Sequence, residues 1–216
     1  MKRPIFTGSA AAMVTPFDNC GELDLNVLGG LIDWQMDAGT DALVVCATTG
    51  ECATLSDREW EQVVDYTLTR VNGRVPVIAG TGTNNTEHVL DFTRAACDDG
   101  ADGVLVVTPY YNKATQKGLI AHYTMVADAS SVPVILYNVP SRTGVGIEPA
   151  TYAQLAKVPN IVAIKEANGN ISSVVETAAL VGDKMDIYSG NDDQIVPILA
   201  MGGSGVISVL SNIMPA

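Results

Sequence analysis

The sequence predicts an α/β fold, a single-domain (β/α)8 TIM barrel spanning residues 1–216. Short β-branched runs alternate with amphipathic stretches, as right-handed βαβ units require. Each unit takes roughly thirty residues, and the runs number eight, more than an open doubly wound sheet commonly holds. The runs are mostly continuous rather than alternating, as in parallel strands covered on both faces.

The first run, 10–14, ends at Thr15-Pro16, and a helical pattern over 25–37 follows it. Gly39-Thr40-Asp41 turns the chain into the second run, 42–46. Ser56 and Glu59 then form a Ser-x-x-Glu capping box, and Trp60, Val63, Val64, Leu68 and Val71 share one helix face. Val75-Pro76 opens the third run, 75–79, and 86–98 reads as helix. Gly100-Ala101-Asp102-Gly103 precedes the fourth run, 104–107, before a helix at 116–129. The remaining pairs are 134–137 with 149–156, 161–165 with 171–181, and 186–189 with 194–201. The eighth run, 205–209, stands without a helix after it, so the expected barrel lacks the eighth helix and any C-terminal helical segment. Its helical wall should lie open beside strands 8 and 1.

Composition narrows the function. Hydrophobic residues make up 47% and charged residues 17%, a globular balance. Acidic residues outnumber basic ones 24 to 12, a net charge of -12 that repels phosphate backbones and anionic lipid. Neither nucleic acid nor a membrane is an expected partner, and an anionic substrate would need a local cation. Cys20, Cys46, Cys52 and Cys97 form no CxxC pair, which fits a reducing cytoplasm. The start, Met1-Lys2-Arg3-Pro4, has no long apolar run behind it, so no signal peptide or membrane span is expected.

Barrel active sites lie where the strands end. Here the second run ends in Thr48-Thr49-Gly50-Glu51, the fourth in Tyr110-Tyr111, the fifth in Tyr137-Asn138 and the sixth in Lys165-Glu166. Period-2 alternation puts Ile161, Ala163 and Lys165 on one face and Val162 and Ile164 on the other. An inward lysine is desolvated, which favours the neutral amine that attack on a ketone requires. The alternative is a strand-end Lys165-Glu166 pair in solvent. Tyr137, from the adjoining strand, could move protons beside Lys165, with Thr48 and Tyr111 extending a hydrogen-bonded chain. Arg142, in the loop Pro140-Ser141-Arg142-Thr143-Gly144, is a candidate carboxylate clamp.

Other signals are weaker. Gly80-x-Gly82 lacks the third glycine of a dinucleotide loop and follows the wrong strand. Gly202-Gly203-Ser204-Gly205 precedes the eighth run, so it reads as a turn. His88 and His122 are too few and too far apart for a zinc site. No metal or nucleotide cofactor is expected.

Thr48-Thr49-Gly50-Glu51, Val107-Thr108-Pro109-Tyr110-Tyr111, the stretch from Tyr137 to Gly144, Ile164-Lys165-Glu166-Ala167 and Gly205-Val206-Ile207-Ser208-Val209 closely resemble the N-acetylneuraminate lyase and dihydrodipicolinate synthase family. The likeness runs from Gly8 to the end. It implies a Schiff-base lyase that condenses pyruvate with L-aspartate 4-semialdehyde on the route to diaminopimelate and lysine. Lys165 would form the Schiff base, with Tyr137 the proton donor and acceptor and Thr48 linking it to Tyr111. In the family the Tyr111 counterpart crosses from a neighbouring subunit, so a homodimer or homotetramer is implied. Thr49 and the backbone of Ile207 would hold pyruvate, Gly190 would line the site, and Arg142 would bind the semialdehyde carboxylate. That arginine favours the synthase over the alternatives, a sialic acid or 2-keto-3-deoxy sugar acid aldolase; a non-catalytic truncated barrel is the rival of another class. The lysine-feedback positions carry His88, Asp57 and Trp60 where some relatives have a glutamate and two histidines, so weak lysine inhibition is expected.

Overall fold

The computed structural model describes residues 4–215, so the charged start at 1–3 and the last residue, on which two expectations rest, lie outside the described residues. Eight parallel strands follow one another around a closed barrel: β1 (Gly8–Ala12), β2 (Ala42–Val45), β3 (Val77–Gly80), β4 (Gly103–Val107), β5 (Val134–Asn138), β6 (Ile161–Glu166), β7 (Asp186–Ser189) and β8 (Gly205–Ser208). β8 pairs with β1, Ala10 opposite Ile207, which seals the sheet. Around it run α1 (Leu25–Asp37), α2 (Asp57–Val71), α3 (Thr86–Asp99), α4 (Gln116–Ala129), α5 (Pro140–Thr143), α6 (Pro149–Leu155), α7 (Ile171–Val181) and α8 (Ile195–Ala200).

Strand alternation divides the core in two. Leu43, Val45, Val104, Val106, Leu136 and Ile164 pack outward against the helices, which supply Leu28, Ile32, Val63, Val64, Val89 and Leu119. Ala10, Ala12, Val44, Ile78, Leu105 and Ile135 fill the barrel, with Phe6 stacked on Tyr188 at 4.3 Å. Small alanines on β1 and branched residues on β3 to β5 let the interior layers interdigitate. The capping box of α2 forms as expected: the Ser56 hydroxyl accepts from Glu59 N at 3.3 Å, and Ser56 N donates to Glu59 Oε2 at 2.7 Å.

Three differences from expectation bear on the site. β1 begins two residues earlier and stops at Ala12, because the Val14 N–H donates to the Asn212 side chain instead of a strand neighbour. Residues 140–143 form the short helix α5 rather than a loop; proline starts it, and Gly144 ends it in the left-handed region at φ 72°. Ile161 does not share the inward face of Lys165. Val134 pairs with Ile161 but Ile135 pairs with Ala163, so Val162 is an extra residue, a β-bulge. Ile161 therefore packs outward with Ile164, while Val162 and Ala163 pack inward.

The helical layer, unlike the sheet, is open beside β8 and β1. Among the described residues no α-helix follows β8; a 3-10 turn at Leu210–Asn212 lies there, and Val209, Leu210, Ile213 and Met214 are exposed. Among the described residues no helix is long and apolar enough to cross a membrane.

Candidate active site

Lys165 stands opposite Tyr137 of β5 in the strand register and points into the barrel mouth. It is 2% exposed, and its Nζ lies 4.3 Å from the centroid of the Tyr137 ring. Burial pulls its ammonium down to about 8; Asp192 draws it back up, and the Arg142 charge adds to the lowering. The lysine stem passes under Gly190, where a Cβ would come within 2.8 Å of Ala167 Cβ and 3.1 Å of Lys165 Cγ. Only glycine leaves that space, which gives Gly190 a physical reason to be in the site.

Tyr137 is buried beside the amine and hydrogen-bonded to Thr48. Burial raises its phenol above the ordinary value, and the Thr48 hydrogen bond and the Arg142 charge pull it back. Thr48 owes its place to a strained turn after β2: Cys46 and Glu51 sit at φ 51° and 59°, and Thr15 Oγ1 donates to Gly50 O at 2.7 Å. β3 must end in Gly80 beside this turn, since a Cβ there would lie 2.2 Å from Cys46 O. The Gly80-x-Gly82 sequence is thus a packing device. Trp60 Nε1 donates to the Gly80 carbonyl at 2.8 Å, tying α2 to the same corner.

Above the amine two clefts meet. The larger, about 450 Å³, is lined by Thr49, Tyr137, Arg142, Gly190 and Asp192 among others. The smaller, about 250 Å³, is mainly apolar and takes in Cys52, Val107 and Tyr110. Thr48, Val139 and Arg142 border both. The Ile207 side chain is wholly buried in the barrel interior, so any contact of this residue with a cleft ligand must come from its backbone.

Tyr111 does not join the others within this chain. It is 85% exposed and held at φ 72°, and it lines neither cleft. The single-chain arrangement therefore ends at the Thr48–Tyr137 hydrogen bond. Sequence reasoning missed two carboxylates. Asp192, on the turn after β7, accepts from Ser208 Oγ at 2.6 Å and from Leu210 N at 3.0 Å, and no local pattern marked it. Glu166 is buried on the outward face of β6, back to back with Lys165 instead of paired with it. Strand alternation could have shown that. His88 Nε2 lies 3.1 Å from Asp57 Oδ1, joining the first turns of α2 and α3 on the exposed surface, and neither residue lines the two clefts.

A buried amine beside a phenol, under a cleft bordered by an arginine, can form an imine with a keto acid. Comparison with known proteins agrees. The model of the Dihydrodipicolinate synthetase family matches residues 5–216. A 4-hydroxy-tetrahydrodipicolinate synthase of Caldicellulosiruptor saccharolyticus is 56% identical over 212 residues, which cover 98% of this chain and 72% of that protein. The crystal structure of dihydrodipicolinate synthase from Thermotoga maritima is similar with a TM-score of 0.95 at 46% identity, covering 98% of this chain and 73% of the other. The chloride-inhibited dihydrodipicolinate synthase from Acinetobacter baumannii, complexed with pyruvate, is similar at 0.95 and 44% identity, covering 97% of this chain and 72% of the other.

Proposed function

We propose, since the chain belongs to the dihydrodipicolinate synthetase family, that it is a lyase working through Lys165: it condenses pyruvate with L-aspartate 4-semialdehyde to give 4-hydroxy-tetrahydrodipicolinate, on the route to diaminopimelate and lysine. The observation that carries the residue assignment is the buried amine of Lys165, 4.3 Å from the Tyr137 ring, with its ammonium pulled down to about 8.

The neutral Nζ attacks the ketone carbon of pyruvate, and loss of water leaves the imine. Tyr137, steadied by Thr48, passes the protons that addition and dehydration require. Loss of a methyl proton then gives an enamine whose carbon attacks the aldehyde of the second substrate. The amino group of that substrate displaces the lysine and closes the ring. Thr49 and the backbone of Ile207 hold the pyruvate carboxylate, Gly190 leaves room beside the lysine stem, and Arg142 holds the semialdehyde carboxylate. The family's reaction requires neither a metal nor a nucleotide.

Tyr111 enters this reading from outside the chain. Its exposed ring is free to reach the Thr48–Tyr137 pair of a second copy, so the working protein is a homodimer or homotetramer. The chain acts as one domain in the cytoplasm. Borohydride reduction in the presence of pyruvate tests the central step: the expected product is a mass adduct on the peptide containing Lys165. A folded protein that gives no adduct there rejects the Schiff base.

A further inference from the structure

The carboxylate of Glu166 is buried behind the site with neutral donors on every side. Oε1 accepts from Asn138 Nδ2 at 3.0 Å and from Asn168 N at 2.9 Å. Oε2 accepts from the same Asn138 Nδ2 at 3.2 Å and from the Tyr152 hydroxyl at 3.0 Å. Burying a carboxyl is costly, and burial pushes this one up to about 7 although these donors pull it down. A chain needing only packing here would be served by an apolar residue. The donor set instead fits a carboxylate with a task.

That task is legible in what the donors carry. Asn138 lies opposite Glu166 in the β5–β6 ladder, and its Oδ1 accepts from Ile147 N at 3.0 Å. The segment between Asn138 and Ile147 holds α5 and Arg142, so one side chain pins the end of that segment to the residue at its start. An amide can offer its oxygen to Ile147 only while its nitrogen faces an acceptor, and Glu166 is that acceptor. Tyr152, the third donor, sits on α6, the next element of the same excursion. The backbone carbonyl of Asn138 also accepts from Ala167 N at 2.9 Å, which fixes the residue itself.

We propose that Glu166 is a positioning residue for the second substrate: by orienting the Asn138 amide it fixes the 139–147 segment and with it Arg142. The inference rests on the proposed role of Arg142 and leaves the imine chemistry of Lys165 untouched.

Glu166→Gln tests it. The glutamine keeps one oxygen that accepts from Asn138 Nδ2, but its NH2 replaces the other and faces the same nitrogen, donor against donor, so the hold on the Asn138 amide weakens. The expected result is a KM for the semialdehyde raised roughly tenfold, with the KM for pyruvate and the rate of borohydride trapping changed by less than about twofold. Adding Asn138→Asp reverses the polarity of the pair: the new carboxylate accepts from Gln Nε2 and from Ile147 N, and the semialdehyde KM returns towards its original value. An unchanged semialdehyde KM in the single variant, equal damage to both substrates, or a double variant no better than the single one would overturn the proposal. Should Glu166→Gln fail to fold, Tyr152→Phe removes one donor only and should raise the same KM to a lesser degree; no rise there also overturns it. Arg142→Ala separates the two ideas. A normal semialdehyde KM in that variant defeats the Arg142 reading, whereas a raised one beside an unaffected Glu166→Gln defeats only the role of Glu166.

Discussion

Replacing Lys165 by methionine should stabilise the folded chain while ending imine formation. The group is 2% exposed, and burial pulls its ammonium from 10.5 to about 8. The unfolded chain keeps the ordinary value and so binds the proton more tightly. For a base depressed on folding, the contribution to stability is fully present above 10.5 and is lost as pH falls through about 8. A difference of ~2.5 units means a loss of about 3 kcal/mol at pH 7 and less than about 1 kcal/mol at pH 10. Methionine has a similar apolar stem and no proton to bind. Asp192 keeps its partners at Ser208 and Leu210, so its carboxylate is not stranded by the change. Urea unfolding of Lys165→Met and the unaltered chain at both pH values measures the effect. The expected gain is up to ~3 kcal/mol at pH 7, shrinking as pH rises to 10. A variant no more stable at pH 7, or a gain indifferent to pH, would refute the argument that desolvation of the amine sets its acidity.

Three further outcomes follow from particular contacts. Gly190→Ala adds a methyl 2.8 Å from Ala167 Cβ and 3.1 Å from the Lys165 stem, so pyruvate trapping should slow and thermal unfolding should register about 1–3 kcal/mol of overpacking; unaltered trapping would count against the close approach. His122 is buried with its Nε2 unpartnered among the described residues, and burial pulls its pKa from 6.5 to about 4, so stability falls as pH drops through that interval. By pH 5 the loss should be about 2 kcal/mol, measured as the excess over that of His122→Phe in urea; equal losses in both proteins would exclude it. Lysine at micromolar concentration should leave the synthase rate unaltered, because His88 is engaged with Asp57, and Trp60 is buried with its Nε1 on the Gly80 carbonyl. Inhibition in that range would contradict this.

Most of the barrel was legible because its signals are local. The capping box at Ser56, the turn glycines and the β-branched runs each act over a few residues, and five helices start where the pattern put them: α1, α3, α4, α6 and α7. Lys165, Tyr137, Thr48 and Arg142 could be singled out from the residues because they stand at or just beyond strand ends, which a closed barrel brings together, whereas Thr49 and Gly190 came only with the family resemblance. What escaped depends on partners distant along the chain. Where β1 ends is decided by Asn212, and the duty of Glu166 by Asn138 and Tyr152. Asp192 gains its place from hydrogen bonds to Ser208 and Leu210, which no periodicity records. Tyr111 marks a different boundary: its sequence motif was readable, but one copy of the chain offers it no partner across the site.

The additional residue in β6 acts as a parity bit. Ile161 faces the helices, so strict odd–even counting from it would send position 165 to the helices as well. Val162 shifts the count by one and turns the amine towards the cleft. Deleting that valine would leave a regular ladder in which Ile161, Ala163, Ile164 and Lys165 alternate, so Lys165 would still face the cleft and Glu166 the helices. Loss of Ile164 instead, with the ladder before it kept, would send Lys165 to the helices and Glu166 to the cleft, uncoupling the fold from its chemistry.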